Sequence, residues 1–108
     1  MRTSYTPKYR NKKTSVDGIR FDSKKEAKRY LELKILEKAG AIQDLRRQVP
    51  YVLINKSSYG RAIKYVADFV YYEDDKLVVE DVKGVRTPVY KLKKRLMAER
   101  FGIEVKET

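Results

Sequence analysis

The chain has 108 residues, with 26 lysine and arginine residues against 15 aspartate and glutamate residues, and a formal net charge of +11. This length suits a single domain with a modest core, because two halves would each be too small to fold unaided. The chain has neither cysteine nor histidine, which excludes disulfides, metals ligated by these residues and histidine-based catalysis, and leaves carboxylates, lysine, tyrosine, serine and threonine for any chemistry.

The cationic excess favours an anionic polymer, usually nucleic acid, as the partner, because binding releases the counterions condensed on its phosphates. A solubility-tuned surface or a ribosome-associated protein is the alternative explanation of the charge. The sequence contains no apolar run long enough to span a bilayer and does not open with a signal-peptide pattern, so we expect a soluble protein of the cytoplasm.

Residues 1–14 are predicted to form a basic, flexible arm, and residues 15–108 a single domain. Tyr5 and Tyr9 lie between the cations of the arm, so the cations can follow phosphates while the rings stack on bases. The alternative is a disordered tail that only adds affinity. The arm cations expected to contact nucleic acid are Lys8, Arg10, Lys12 and Lys13.

A small hairpin is predicted over residues 15–21, because Asp17-Gly18 supplies the two positions of positive φ that a two-residue turn needs. A helix is predicted over residues 24–39 and ended by Gly40. The apolar residues of its predicted inward stripe are Ala27, Tyr30, Leu31, Leu33, Ile35 and Leu36.

Three strands are predicted next, over residues 49–54, 63–72 and 76–83, after a polar link over residues 43–48. A proline at the start of the first strand is tolerated because its missing N–H is not needed there.

A second helix is predicted to follow, with Thr87 as N-cap and Pro88 at its first position, running to about residue 100. A short strand over residues 103–106 is predicted to end the chain. The predicted buried face of this helix comprises Val89, Leu92, Leu96 and Met97.

The predicted order is therefore hairpin, helix, strand, strand, strand, helix, strand. This order indicates an α/β (α+β) domain with a mixed sheet flanked by helices.

Two acidic residues and a lysine are expected to meet on the central strands. Asp81 and Lys83 are two positions apart and share one face of a strand, and a hairpin can set Asp68 beside them. Two carboxylates can hold a hard divalent cation, and an adjacent ammonium can orient water or offset phosphoryl charge. The alternative is an outward-facing aspartate next to a weak, exposed ion pair.

Five further residues have two explanations each. Glu80 points to the opposite face from Asp81 and is expected to be structural, paired with a basic helix residue, with an exchange of roles between Glu80 and Asp81 as the alternative. Glu26 either completes a capping box with Ser23 or faces the carboxylates. Gln48 is a turn residue or lines a site. Lys91 and Lys94 either face phosphates or belong to a solvated helix face.

Taken together, these residues resemble the PD-(D/E)xK nuclease superfamily, whose motif is an acid on one strand and acid-x-Lys on the next. Ala67-Asp68 stands for the Pro-Asp pair, with alanine as the departure, and Asp81-Val82-Lys83 for acid-x-Lys. Residues 17–27 and 79–84 are also similar to a group of short phage-encoded proteins of unknown function that is compared with Holliday-junction resolvases.

The resemblance implies a restriction-endonuclease-like core and a Mg²⁺- or Mn²⁺-dependent endonuclease that hydrolyses phosphodiester bonds of DNA. It implies that Asp68, Asp81 and Glu26 bind the metal, and that these three and Lys83 form the catalytic set. Branched DNA, such as a Holliday junction or a flap in phage recombination, replication or packaging, is the more specific substrate that it suggests. Resolvases of this superfamily act as homodimers. For a phage-encoded chain, the resemblance implies the cytoplasm of a bacterial host. The alternative is a non-catalytic, basic nucleic-acid-binding protein, whose binding is salt-sensitive and independent of metal.

Overall fold

The computed structural model describes residues 14–83 and 85–108. The arm cations Lys8, Arg10, Lys12 and Lys13 therefore lie outside the described residues. The elements are β1 (Thr14–Val16), β2 (Ile19–Phe21), α1 (Lys24–Lys38), β3 (Gln43–Ile54), β4 (Ile63–Glu73), β5 (Lys76–Asp81), α2 (Pro88–Phe101) and β6 (Lys106–Glu107). This order confirms the predicted succession of elements.

The main sheet is mixed, with the strand order β3-β4-β5-β6. The first three strands are antiparallel neighbours, and β6 runs parallel to β5. A separate two-stranded sheet is formed by β1 and β2. The protein is thus an α+β domain with a mixed sheet and two helices, neither of which, within the described residues, is long and apolar enough to cross a bilayer.

Local sequence fixes the ends of several elements. Asp17 and Gly18 turn the first hairpin with φ angles of 52° and 76°. Ser23 Oγ accepts a hydrogen bond from the Glu26 N–H at the start of α1, and Thr87 Oγ1 does the same for Tyr90 at the start of α2. The first turns of both helices are therefore fixed by bonds within short stretches of the chain.

Two apolar clusters lie on the two sides of the sheet. Adjacent residues of β4 divide between them, since Phe69 packs with α1 and Val70 packs with α2. The α1 cluster contains Phe21, Ala27, Tyr30, Leu33, Ile42, Phe69 and Tyr71. The α2 cluster contains Leu53, Tyr65, Ala67, Val70, Val79, Tyr90, Met97 and Val105. The sheet is therefore flanked by a helix on each side.

The predicted polar link over residues 43–48 is wrong, because these residues form the first half of β3. The strand accommodates them through a register shift between Gln43 and Arg46 and through positive φ angles at Asp44 and Gln48. Being an edge strand, β3 can expose alternate polar side chains, which explains why its sequence looks like a loop.

Three boundaries also differ from the prediction. Thr14, assigned to the arm, begins β1. Strand β5 ends at Asp81 instead of residue 83. The short final strand lies at Lys106–Glu107 instead of residues 103–106.

The predicted apolar stripes of both helices are too wide. Only a narrow face of α1 reaches the hairpin and the sheet, so it buries Ala27, Tyr30 and Leu33 and leaves the rest of the stripe on the surface. In α2 the buried side chains are Tyr90 and Met97, with Leu96 partly buried. The residues wrongly predicted as buried are Leu31, Ile35, Leu36, Val89 and Leu92.

Candidate active site

An open cleft of about 710 Å³ lies beside the junction of β4 and β5, between the first turns of α1 and α2. Charged side chains of both signs line it. The acids are Asp22, Glu26, Asp68 and Asp81, and the bases are Lys25, Lys64, Lys83 and Lys93. All the residues of the predicted catalytic set are therefore in one cleft.

Asp68 and Asp81 face each other across the two central strands. The register pairs Phe69 with Glu80, which sets the next residue pair, Asp68 and Asp81, opposite one another. Asp68 Oδ2 accepts a hydrogen bond of 2.8 Å from the Val82 N–H. The structure thus brings together the two acids that the sequence singled out.

Asp81 is a buried carboxylate with an unsatisfied oxygen. The residue is 3% exposed, and its Oδ2 has no hydrogen-bond partner among the described residues. Lys83 Nζ lies 3.2 Å from this oxygen and supplies charge without a well-oriented hydrogen bond. A buried anion in this state has unused capacity to bind a cation or a donor.

The environment opposes negative charge in the cleft. Burial, followed by the side-chain contact with Asp81, raises the pKa of Asp68 to about 7. Burial also raises the pKa of Glu26, against the opposing effect of Arg47. Carboxylates whose charged forms are disfavoured by burial and by each other are stabilised when a cation binds among them.

Glu26 takes part in the helix cap and in the cleft with different atoms, and its carboxylate bonds Gln48 instead of the Ser23 N–H that a full capping box requires. Its backbone N–H is bound by Ser23 in the helix cap, whereas its carboxylate accepts a hydrogen bond of 3.2 Å from Gln48 Nε2. Gln48 Nε2 also lies 3.4 Å from Asp68 Oδ1, which makes the amide a bridge between the two acids. Gln48 has a φ of 51°, an uncommon angle for a residue with a side chain, and such angles concentrate at functional sites.

Lys83 is held in place through its backbone and its side chain. Its N–H donates to the Thr108 carbonyl at 3.2 Å, and its carbonyl accepts from Lys25 Nζ at 2.7 Å. Its ammonium lies 4.1 Å from the centre of the Tyr90 ring, a cation–π contact. The amine is therefore positioned beside Asp81 before any ligand binds.

Glu80 has the structural role that the sequence predicted. Its carboxylate accepts hydrogen bonds from Arg29 Nε at 2.9 Å and Nη2 at 2.7 Å, from the Tyr71 hydroxyl and from Thr108 Oγ1 at 3.3 Å. Burial acts to raise its pKa, but the bonds from Arg29 and Tyr71 outweigh burial and lower the pKa. The predicted pairing with a basic helix residue is confirmed.

The donor set fits a hard divalent cation at its core. Oxygen ligands suit Mg²⁺ and Mn²⁺, and Asp81, which has one oxygen without a hydrogen-bond partner among the described residues, lies opposite Asp68 across the strands. Among residues 14–83 and 85–108, no three histidine, cysteine, aspartate or glutamate side chains are grouped to hold a metal ion. Asp68 and Asp81 are therefore the minimal donor pair, with Glu26 behind Gln48.

The cations of α2 divide between two clefts. Lys93 lines the cleft with the carboxylates, whereas Lys91 and Lys94 line a second cleft of about 340 Å³. Lys94 is paired there with Glu107 at 3.2 Å, and the Tyr90 hydroxyl donates to the same carboxylate at 2.7 Å. The two lysines predicted to face phosphates are thus separated from the carboxylate pair.

Sequence reasoning missed several residues of the carboxylate cleft, namely Lys25, Lys64, Tyr65, Tyr90 and Lys93. The spacing of three between Tyr90 and Lys93 is a signal that could have placed both on one side of α2. No comparable signal marks Tyr65, whose position depends on how β4 meets α2.

Comparison with protein families identifies a relationship for most of the chain. A family model described as a protein of unknown function (DUF1064) matches residues 6–108. No curated protein and no solved structure matches the chain.

Proposed function

The chain belongs to the family of proteins of unknown function DUF1064, and we propose that it is a Mg²⁺- or Mn²⁺-dependent endonuclease that hydrolyses phosphodiester bonds of DNA. One observation carries the proposal: the buried Asp81, with an unsatisfied oxygen, lies opposite Asp68 and beside Lys83. A carboxylate pair with an adjacent ammonium, on a chain of net charge +11, suits chemistry on a polyanion.

Asp68 and Asp81 would hold the metal, and Glu26 would assist them through the amide of Gln48. A bound divalent cation supplies an activated water at neutral pH and offsets the charge of the departing oxygen. Lys83 positions the attacking water and stabilises charge on the phosphoryl oxygens. The water oxygen forms a new bond to phosphorus as the bridging P–O bond breaks. The proton that the water loses passes to solvent, and the departing oxygen takes a proton from solvent, so that one water is added across the bond.

The lysines around the cleft would hold the phosphate backbone. Lys25, Lys64 and Lys93 line the same cleft as the carboxylates, and lysine binds phosphate as a point charge without reading the base sequence. The arm cations, with Lys91 and Lys94, would extend this contact, so we expect affinity that falls steeply with salt.

The finer proposal is membership of the PD-(D/E)xK superfamily, with a restriction-endonuclease-like core and branched DNA as the substrate. It is supported by the element order and by the placement of Asp68, Asp81 and Lys83 around one cleft. A homodimer would cut two strands in a paired fashion, as a Holliday junction or a phage recombination intermediate requires.

The test is incubation of the purified protein with plasmid, linear duplex, flap and four-way-junction DNA in Mg²⁺, in Mn²⁺ and in EDTA. We expect cleavage with either metal, none in EDTA, and faster cleavage of the junction than of linear duplex. Asp81→Ala should abolish cleavage and keep DNA binding, which gel-shift assays measure. Full activity of this variant would rule out the proposed site.

The rival is a basic protein that binds nucleic acid without cutting it. It predicts salt-sensitive binding that does not depend on divalent metal, and no products on any of the four substrates. The same series of reactions therefore separates the two functions.

A further inference from the structure

The hydroxyl of Tyr65 is a second buried group in the cleft without a partner. Tyr65 is 4% exposed, and its hydroxyl oxygen has no hydrogen-bond partner among the described residues. The residue lines the same cleft as Asp68 and Asp81. The Tyr65 hydroxyl and the Asp81 Oδ2 oxygen, both without a hydrogen-bond partner among the described residues, thus belong to residues that line one cleft.

Buried polar groups are almost always hydrogen-bonded, because leaving them unpaired costs free energy on folding. Removing the Tyr65 oxygen would relieve this cost while keeping the ring in the cluster with Ala67, Val70 and Met97. A phenylalanine would therefore pack in this cluster as well as Tyr65 does. The presence of the hydroxyl requires another explanation.

The surroundings define the chemistry of the missing partner. A tyrosine hydroxyl ordinarily keeps its proton at neutral pH, so that of Tyr65 is a donor. The Asp81 carboxylate lies near enough to interact with it but does not form a well-oriented hydrogen bond with it, so the donor stays available to a ligand. Lys64, Lys83 and Lys93 line the same cleft and would favour an anion there once a bound cation offsets the charge of the carboxylates. A tetrahedral anion with several oxygens can accept from the ammonium groups and from the hydroxyl at once.

We propose that the Tyr65 hydroxyl donates a hydrogen bond to a phosphate oxygen of the nucleic acid that occupies the cleft. The inference rests on the proposed function for its substrate and adds a residue that touches this substrate. Tyr65 would bind the phosphate as a neutral donor, next to Lys83, which carries charge.

The experiment compares Tyr65→Phe with the native protein and with a matched control, Tyr51→Phe. Tyr51 is the cross-strand partner of Tyr65 in the register of β3 and β4, packs its ring on Phe101 and is absent from the residues lining the cleft. The probe is a fluorescent single-stranded deoxyoligonucleotide in Ca²⁺, checked by gel to remain intact. Melting temperatures are recorded for all three proteins.

We expect Tyr65→Phe to bind the oligonucleotide about tenfold more weakly, as for loss of a hydrogen bond to a charged group. Its melting temperature should be equal to or above that of the native protein, and Tyr51→Phe should bind as the native protein does. In Mg²⁺, Tyr65→Phe should also cut more slowly, with a lower kcat/KM.

Equal affinity of Tyr65→Phe and native protein would overturn the inference. Unchanged affinity with a lowered melting temperature would assign the hydroxyl to an internal water and overturn it too, as would a native protein that does not bind the oligonucleotide. If binding depends on Tyr65 but native protein cuts no DNA in Mg²⁺ or Mn²⁺, the proposed hydrolysis fails and this inference stands.

Discussion

Two consecutive carboxylates lie on opposite sides of β5 and differ in how many hydrogen bonds they accept. On the α1 side, Glu80 is fully buried and accepts hydrogen bonds from Arg29, Tyr71 and Thr108. On the cleft side, Asp81 is nearly as buried, and one of its oxygens has no hydrogen-bond donor. Burial alone therefore does not separate these two acids, whereas the number of their oxygens that accept hydrogen bonds does.

The cations on the two sides of β5 also differ in how completely they are paired. Arg29 is committed to Glu80 and Glu32, and these bonds raise its pKa further. Around the cleft, Lys83 has one carboxylate neighbour at 3.2 Å, and its ring contact with Tyr90 leaves its ammonium protons available for a ligand. A planar guanidinium completes a buried pair, while a flexible ammonium serves a ligand that enters and leaves.

Replacing Asp81 by asparagine should produce the largest effect, and only on activity. We expect cleavage to fall at least ~10³-fold, which corresponds to about 4 kcal/mol. The free energy of unfolding should stay the same or rise by about 1 kcal/mol, because the repulsion between Asp81 and Asp68 is removed and offsets the loss of the contact with the partly exposed Lys83. Initial cleavage rates and urea denaturation measure the two quantities. A loss of stability with retained cleavage would show that Asp81 belongs with Glu80.

Replacing Glu80 by glutamine should give the converse result. Arg29 would lose its charged partner in a buried setting, so we expect a loss of about 3 kcal/mol in the free energy of unfolding. The matched control is Glu32→Gln, which breaks an exposed ion pair of Arg29 and should cost less than about 0.5 kcal/mol. Urea denaturation measures both variants. Equal losses of stability would contradict the structural role of Glu80.

The pH dependence of stability should have opposite signs on the two sides. The pKa of Asp68 rises from 3.8 to about 7 on folding, so the folded state holds its proton more tightly. In EDTA this group should lower stability as pH rises from about 4 to about 7, by about 2 kcal/mol after allowance for its partial exposure. Glu80, whose pKa is lowered, loses its contribution as pH falls below its ordinary value of 4.5.

The variant Asp68→Asn tests whether Asp68 causes the loss of stability between pH 4 and pH 7. Its melting temperature in EDTA should change less between pH 4 and pH 7 than that of the native protein. Mg²⁺ should raise the melting temperature of the native protein near pH 7 and have little effect on the variant, because the ion binds the folded carboxylates. Identical pH profiles would mean that Asp68 does not titrate in this range.

The smallest effect concerns the lysines of α2. Lys93→Ala should weaken DNA binding about threefold and reduce the slope of log affinity against log salt by about one. Lys91→Ala, which affects the second cleft, is the matched comparison and should have less effect on a substrate held at Asp68 and Asp81. Fluorescence titrations at several salt concentrations measure both. The reverse ranking would place the DNA over the second cleft.

The relations that follow from strand geometry were predictable from the sequence. Side chains alternate with a period of two, so Asp81 and Lys83 were expected on one face, Glu80 on the other, and Asp68 beside Asp81 across the hairpin. The caps at Ser23 and Thr87 depend on equally local chemistry. These features depend on short stretches of backbone and need no knowledge of packing.

The remaining features depend on how distant elements pack. Gln48 seemed to lie in a link, because an edge strand with polar outward residues has the composition of a loop. The exposure of Ile35 depends on how little of α1 touches the sheet. Tyr65 of β4 and Lys93 of α2 line the same cleft as the carboxylates because α2 packs beside β4. Periodicity indicates that a residue is apolar or faces one side, but not which neighbour covers it.

The bridge from Glu26 through Gln48 to Asp68, and from there to Asp81, joins four well-separated parts of the sequence. Contacts between distant positions form late, since the entropy of closing long loops opposes them until the sheet has assembled. The positive charge, by contrast, is present in every conformation of the chain. A partly folded molecule can therefore adhere to a polyanion before its carboxylates are assembled, and the hydrolysis proposed for the protein would begin only when folding is complete.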